Sequence, residues 1–221
     1  MLYAKVVLGL AVRGPFDYIV APPLDKKIKE GSRVWVTLRN KRTLGYVVEL
    51  VRKTNIKNLK NVLEVIDDYP LLGKDILLLT RKLSDYYYCS WGEAICVALP
   101  EALRKGRRIK NIEVAGYPKQ KDNLEAILVH DLDGKSRWDI YLGAIKEALD
   151  NNRSAIVLFP DFHSALAAQG IITTSLGIKP PILYRKQPQE LEEWLKIKEG
   201  RLNLVLATRS GIFAPFGNLG L

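Results

Sequence analysis

The chain has 221 residues, 48% of them hydrophobic, and its 34 basic and 24 acidic residues give a formal net charge of +10. This length predicts one large domain or two small ones, and the chain has no run of about 18 apolar residues that would form a transmembrane helix. The first residues lack the basic-then-apolar order of a secretory signal, so we expect a cytoplasmic protein without membrane contact.

The basic excess lies in the N-terminal half. Residues 1–123 contain 23 Lys and Arg against 13 Asp and Glu, whereas residues 124–221 contain 11 of each kind. This asymmetry predicts a module that binds a polyanion, joined to a neutral scaffold domain. A basic surface that only maintains solubility is the alternative.

Residues 1–68 have the pattern of a small β-rich body. Alternating apolar residues and intervening turn residues predict short strands, with a charged hairpin connection at residues 39–42. The predicted strands are residues 3–9, 16–20, 33–38, 43–51 and 62–66.

The hydrophobic period then changes from that of a strand to that of a helix. Apolar spacing predicts helices over residues 72–87 and 91–99, the second ending before Pro100. Residues 104–123 are polar and contain Gly116 and Pro118, which is typical of a linker.

Strands and helices alternate from residue 124 onward, which predicts a parallel α/β sheet. We expect ligands of such a sheet beyond the carboxyl ends of its strands, where residues 131–137 and 208–210 lie. The predicted strands are residues 126–129, 155–159, 181–184 and 203–207, and the predicted helices are residues 138–149, 163–169 and 188–198.

The loop after the first of these strands contains Gly134, Lys135 and Ser136, followed by Arg137. A phosphate-binding loop has this ending but begins with a glycine five residues before Gly134, where this chain has Val129. Asp131 and Asp133 add negative charges that repel phosphate. The loop is therefore interpreted either as an altered ATP site or as a glycine-containing turn before a helix.

The two cysteines and two histidines do not form a recognisable catalytic or metal pattern. Cys89 and Cys96 lack the spacing of a metal site, which favours reduced thiols. His130 and His163 have no nearby nucleophile pattern, so neither a hydrolytic triad nor a zinc site is expected.

Several runs resemble the 3′-DNA-binding domain of the PriA family of primosomal replication-restart helicases. The longest is Leu83 to Pro100, which continues to Gly106. The others are Phe16-Asp17-Tyr18, Gly31-x-Arg33-Val34-x-Val36, Gly45-x-Val47-Val48 and Leu59 to Val65. They occur in family order. The second half resembles the front of that family's helicase lobe, in residues 155–161, 194–200, 207–216 and 218–221.

The chain also departs from the family. A winged-helix domain is expected between the two parts, but about 20 residues intervene. In an ungapped alignment the ATP-loop Lys and Thr fall on Arg137 and Trp138, so the Walker A loop is degenerate. The chain ends at Leu221, before the family's acidic Mg²⁺-binding motif and second helicase lobe. We therefore expect no helicase activity of its own and no cofactor.

The resemblance implies an α/β chain. A small β-rich domain with two helices spans residues 1–105, a linker spans 106–123, and a partial, degenerate RecA-like lobe spans 124–221. It implies a primosome-type protein that binds 3′ ends of single-stranded or forked DNA. Alternatives are a helicase fragment that uses ATP and Mg²⁺ once completed by missing sequence or another chain, and a scaffold that docks replication proteins.

The resemblance also implies site residues. Phe16, Asp17, Tyr18 and Lys60 match the pocket for the DNA 3′ end, where an aromatic ring stacks on the base and a carboxylate accepts a hydrogen bond from the 3′-OH. A family glycine falls near Arg39. The candidate contacts to the DNA backbone are Arg39, Lys41, Arg42, Arg104, Lys105, Arg107, Arg108 and Arg209. Gly134, Lys135, Ser136 and Arg137 form the degenerate nucleotide loop.

Overall fold

A computed structural model of the chain describes residues 1–109, 125–131, 136–185 and 187–221. The chain divides into two compact units, Met1–Asn111 and Ile112–Leu221. An antiparallel sheet forms in the first unit and a parallel sheet with helices in the second, so the predicted α/β class is confirmed. Among the described residues, no helix is long and apolar enough to cross a membrane. Most of the predicted linker, residues 110–123, lies outside the described ranges.

The described part of the first unit is built on a sheet with the strand order β2-β1-β4-β3-β5, in which adjacent strands pair antiparallel. A bridge between Ile19 and Asn61 joins the β2 edge to the segment that leads into β5, so the sheet closes on itself as a small barrel. The strands are β1 (Leu2–Leu8), β2 (Phe16–Val20), β3 (Arg33–Leu38), β4 (Lys41–Val51) and β5 (Glu64–Val65).

Alternation along β1 explains the barrel interior. Ala4, Val6 and Leu8 point into the core, whereas Lys5 points outward. Each fully buried aliphatic side chain of this size contributes about 1.5–3 kcal/mol. The pairing of β1 with β4 shifts by one residue between Lys5 and Val6, a β-bulge that increases the local twist and helps the sheet to curve.

Two helices follow the barrel strands: α1 (Lys74–Tyr87) and α2 (Trp91–Ala98), of which α2 packs against the end of β1. The sequence starts α2 with a capping box, in which Ser90 and Glu93 satisfy each other's backbone N–H groups. The Trp91 indole N–H donates to the Thr80 hydroxyl at 3.1 Å, which joins α2 to α1. A further short helix, α3 (Glu101–Arg104), was not predicted.

A buried ion pair fastens the end of the first unit to the barrel. The Arg33 guanidinium donates to both carboxylate oxygens of Asp67 at 2.8 Å, and both side chains are fully buried. Arg33 also donates to the carbonyls of Leu103 and Arg107, and Asp67 accepts from the backbone N–H of Ile109. The pair therefore fixes the path of the basic run that follows α3.

The described part of the second unit has a parallel sheet in the order β6-β8-β7, with helices on both faces. Leu204 and Leu206 of β8 pack with α4 and α5 on one face, and Val205 and Ala207 pack with α6 on the other. Its elements are α4 (Ser136–Asp150), β6 (Ala155–Leu158), α5 (Phe162–Leu176), β7 (Ile182–Leu183), α6 (Glu190–Lys198) and β8 (Leu204–Ala207).

The strand predicted at residues 126–129 is wrong. Residues 125–131 have no regular structure, and the side chains of Ile127 and Leu128 are 74% and 93% exposed. An apolar run becomes a strand only where it pairs with a neighbour, and the parallel sheet does not include this segment. The predicted four-residue hairpin connection is also too long, because Lys41 and Arg42 belong to β4.

Candidate nucleic-acid interface

Strand β2 sends the side chains of Phe16, Asp17 and Tyr18 to different surroundings. Tyr18 lies in the barrel core, where it is 4% exposed and its hydroxyl donates to the Thr37 carbonyl at 3.3 Å. Burial raises the pKa of this hydroxyl. Phe16 is half-buried and packs against the rim of the same core. Because Tyr18 is enclosed, its ring cannot stack on a base, and Phe16 is the aromatic residue of the predicted pocket that remains partly exposed.

Asp17 lies on the outer face of β2. The Thr54 hydroxyl donates to its Oδ2 atom, and the structure records no other hydrogen bond to this carboxylate from a described residue. Its neighbour across the strands is Lys5, whose ammonium group lies 3.6 Å from Glu49. The carboxylate is thus held in place by one side chain and retains a lone-pair direction for a further donor.

Lys60 lies on the segment that closes the barrel. Its carbonyl accepts from the Ile19 backbone N–H at 2.9 Å, two residues along β2 from Asp17. Its ammonium group donates to the Asn40 side chain at 3.3 Å, at the turn between β3 and β4. The structure therefore places the Lys60 backbone beside β2 and its charge beside the turn, with no recorded contact between Lys60 and Asp17.

That turn contains Arg39 and Asn40, which both have positive φ, at 44° and 64°. Two such residues form the tight hairpin turn that matches strand twist, and glycine is favoured there. The family glycine that falls near Arg39 therefore corresponds to a position where the backbone adopts a positive φ. Arg39 and Lys41 are exposed on this hairpin, so the basic side chains of the turn and Lys60 share one region.

The remaining basic candidates of the first unit differ in their contacts. Arg42 and Arg108 both bind Glu64, and the Arg42 guanidinium lies 4.6 Å above the Trp35 ring. Lys105 pairs with Glu101, and Arg104 is half-buried. Arg107 is exposed and its carbonyl accepts from Arg33. Exposed pairs of this kind contribute at most about 1 kcal/mol, so a phosphate can compete for these cations.

Arg209, the candidate in the second unit, is exposed in a short 3₁₀ helix that follows β8. It therefore lies beyond the carboxyl end of a parallel strand, as predicted from its position in the sequence.

The degenerate nucleotide loop is described only at its ends, because Gly134 and Lys135 lie outside the described residues and only the backbone of Ser136 is described. The Arg137 backbone N–H, in the first turn of α4, donates to the Asp131 carboxylate at 2.9 Å. Trp138 is half-buried and packs against the core of the second unit. The backbone N–H of Arg137 therefore already donates to a carboxylate. In a phosphate-binding loop, the N–H groups at the start of the helix donate to phosphate instead.

Sequence reasoning missed Thr54, the partner of Asp17, and the buried pair of Arg33 and Asp67. Thr54 lies in an irregular segment without a periodic pattern, so no sequence signal identified it. Arg33 was part of a family-like run, but a charged residue at the start of a strand is usually exposed. Neither pairing could be found without the tertiary structure.

The first unit is thus a small β-barrel with an attached helical pair. Residues 5–100 match the model of a family described as the 3′DNA-binding domain of PriA. The match confirms that residues 5–100 resemble the 3′DNA-binding domain of the PriA family.

Curated relatives resemble the whole chain or part of it, and all three named here are called replication restart protein PriA. The protein from Rickettsia conorii is 26% identical over 239 aligned positions, which cover 100% of this chain and 36% of the relative. The Treponema pallidum protein is 24% identical over 99% of this chain and 37% of its own length. The Bacillus subtilis protein is 30% identical over 45% of this chain and 13% of its own length. The chain thus spans about a third of the length of the first two.

Proposed function

We propose that this chain binds DNA in replication restart and that its first unit recognises the 3′ end of a strand at a fork, without helicase activity of its own. The observation that carries the proposal is the carboxylate of Asp17 on the outer face of β2, held by Thr54 and open to another donor, next in the strand to the half-buried Phe16. The match of residues 5–100 to a 3′DNA-binding domain and the name of the relatives support it.

The chemistry of a 3′ end fits this site. A terminal 3′-OH can donate a hydrogen bond to Asp17, whereas an internal phosphodiester has no such proton and a 3′-phosphate is repelled by the carboxylate. The ring of Phe16 would contact the terminal base, and Lys60 with Arg39 and Lys41 would neutralise the adjoining phosphates. Fork binding would add duplex DNA on the other basic side chains.

The first test replaces Asp17 by alanine and compares single strands that end in 3′-OH or 3′-phosphate. A hydrogen bond to a charged acceptor contributes about 1.5–3 kcal/mol, so we expect the preference of the native chain for 3′-OH to fall by about 10- to 100-fold. Fluorescence anisotropy at fixed salt measures both affinities. The matched control is Asp25→Ala, an exposed carboxylate of the same unit, which should retain the preference.

Equal affinity of the native chain for the two ends, unaffected by Asp17→Ala, would sink the end-recognition proposal. If the chain also showed no salt-sensitive binding to forked or single-stranded DNA, the scaffold function would be favoured instead, since neutralised phosphates must give a salt dependence. Partner proteins of the primosome would then be sought by direct binding.

A second test concerns the nucleotide loop. Since the Asp131 carboxylate accepts from the start of α4 and Trp138 packs into the core, we expect no measurable heat when ATP and Mg²⁺ are titrated into the chain. Isothermal titration calorimetry measures this. Binding that is seen and then lost on Lys135→Ala would favour the alternative of a helicase fragment.

A further inference from the structure

A groove of about 300 Å³ lies between the loop that joins β1 to β2 and the junction of α1 with α2. Arg13 and Gly14 form one side, and Arg81, Tyr88 and Trp91 form much of the other. None of these residues belongs to the end-binding site proposed above. The groove is part of the first unit alone, and its walls come from the barrel and from the helical pair.

The groove adjoins the proposed 3′-end site. Gly14 lines the groove, and a methyl group built on it would lie 3.3 Å from Cδ2 of Phe16. The Phe16 ring and the groove are therefore neighbours along the same loop. Gly14 is thus near the Phe16 ring and also lines the groove, so a strand whose last nucleotide lies on Phe16 would pass Gly14 to reach the groove.

The charge of the groove suits an anion. Arg13 is exposed, and the Arg81 guanidinium stacks 5.0 Å from the centre of the Trp91 ring. Asp85 is 3.4 Å from Arg81, and the two side chains are 65% and 47% exposed. Such a pair is weak and can yield to a phosphate, and the indole keeps the guanidinium oriented while it does so.

One tyrosine side chain lines the groove and stands exposed to solvent. Tyr88 is 89% exposed, whereas Tyr86 and Tyr87, which are 74% and 68% exposed, do not line the groove. Tyr88 ends α1 in the left-handed region, with φ at 55°, where glycine or asparagine is usual. Because the Tyr88 ring is mostly exposed and its backbone conformation favours glycine, packing within the fold does not explain a tyrosine here. Stacking on the bases of a single strand is a use that any base satisfies.

We propose that this groove binds the nucleotides on the 5′ side of the terminal dinucleotide, with bases on Tyr88 and phosphates at Arg13 and Arg81. The occupant is a single-stranded DNA segment, because exposed rings next to cations contact unpaired bases and their backbone, whereas duplex bases are stacked on each other. This inference rests on the proposed 3′-end recognition only for the direction in which the strand runs.

The test uses two 3′-OH strands, a dinucleotide and a strand of about eight nucleotides, because only the longer one reaches the groove. We expect Tyr88→Ala to weaken the longer strand by about tenfold. Binding of the dinucleotide and the preference for 3′-OH over 3′-phosphate should be unchanged. Tyr88→Phe should retain affinity because it keeps the ring. Tyr86→Ala, exposed in the same segment but not lining the groove, is the matched control.

Arg13→Ala separates phosphate contact from stacking. Losing one neutralised phosphate should lower the slope of log affinity against log salt by about 0.7 for the longer strand. Circular dichroism and thermal unfolding of each variant check that the fold is retained. We expect it to be retained because the substituted side chains are exposed.

Two results would contradict the proposal that the groove binds single-stranded DNA. In the first, Tyr88→Ala leaves the affinity for the longer strand unchanged. In the second, Tyr88→Ala lowers the affinity for both strand lengths equally. Failure of end recognition gives a different result. Asp17→Ala would then leave the 3′-OH preference unaltered, while Tyr88→Ala would still weaken the longer strand.

Discussion

Replacing Asp67 by alanine is expected to lower the free energy of unfolding of the first unit by about 3–5 kcal/mol, measured by urea denaturation. The reason is that Arg33 is fully buried and would keep its charge without a carboxylate partner. Domains of this size are stable by only about 5–15 kcal/mol, so the variant would lose a large part of its margin.

The structural consequence reaches the proposed DNA-binding surface. Asp67 accepts from Ile109, and Arg33 donates to the carbonyls of Leu103 and Arg107. These bonds hold the segment that carries Arg104, Lys105 and Arg108. We therefore expect the Asp67 variant to bind DNA with a smaller salt slope as well as to unfold more easily.

Two further variants make this prediction sharp. Asp68→Ala removes the neighbouring carboxylate, which is exposed, and should change stability by no more than about 0.5 kcal/mol. The double variant Arg33→Met with Asp67→Leu removes both charges and should recover part of the loss, because the Leu103 and Arg107 carbonyls and the Ile109 N–H still lose their partners. A loss below about 1 kcal/mol for Asp67→Ala would show that the pair is not critical.

Periodicity predicted the barrel well because its strands are half-buried. In β2 and β3 the alternation of apolar and polar residues fits only one assignment of the inward-facing side chains. Both strands have the predicted bounds. The helix predicted at residues 163–169 runs over Phe162–Leu176, because Asp161 caps its start and Gly177 ends it in the left-handed region. The short run at residues 126–129 had no such local signal, since strand formation there depends on a neighbouring strand.

The site was harder to predict than the fold. The sequence places Phe16 and Tyr18 on one face of β2, and only tertiary packing encloses Tyr18 while leaving Phe16 at the rim. The contact of Thr54 with Asp17 joins residues that are 37 positions apart, without periodic order. Basic residues that are indistinguishable in the sequence also differ in their contacts. Arg42 and Arg108 form ion pairs with Glu64, whereas Arg39 and Lys41 are exposed at the hairpin between β3 and β4.

Gly92→Ala is expected to destabilise the first unit by roughly 3 kcal/mol or more, although alanine is the better helix former by about 1 kcal/mol. A methyl group on Gly92 would lie 1.7 Å from the Leu8 carbonyl oxygen and 2.3 Å from its carbon. Both atoms belong to the backbone of β1, so no side-chain rotation relieves the overlap. Helix α2 must move away from the barrel, which weakens the bond from the Ser90 hydroxyl to the Leu10 carbonyl.

Gly143→Ala in α4 is the matched control, since a methyl group there would meet no atom within 4 Å. The same substitution should therefore stabilise the second unit by about 0.5–1 kcal/mol, and thermal unfolding of the two variants should shift in opposite directions. A neutral or stabilising effect of Gly92→Ala would contradict the close contact of α2 with β1. Because Trp91 begins the same helix and lines the groove, the Gly92 variant should also weaken binding of the longer single strand while the Gly143 variant does not.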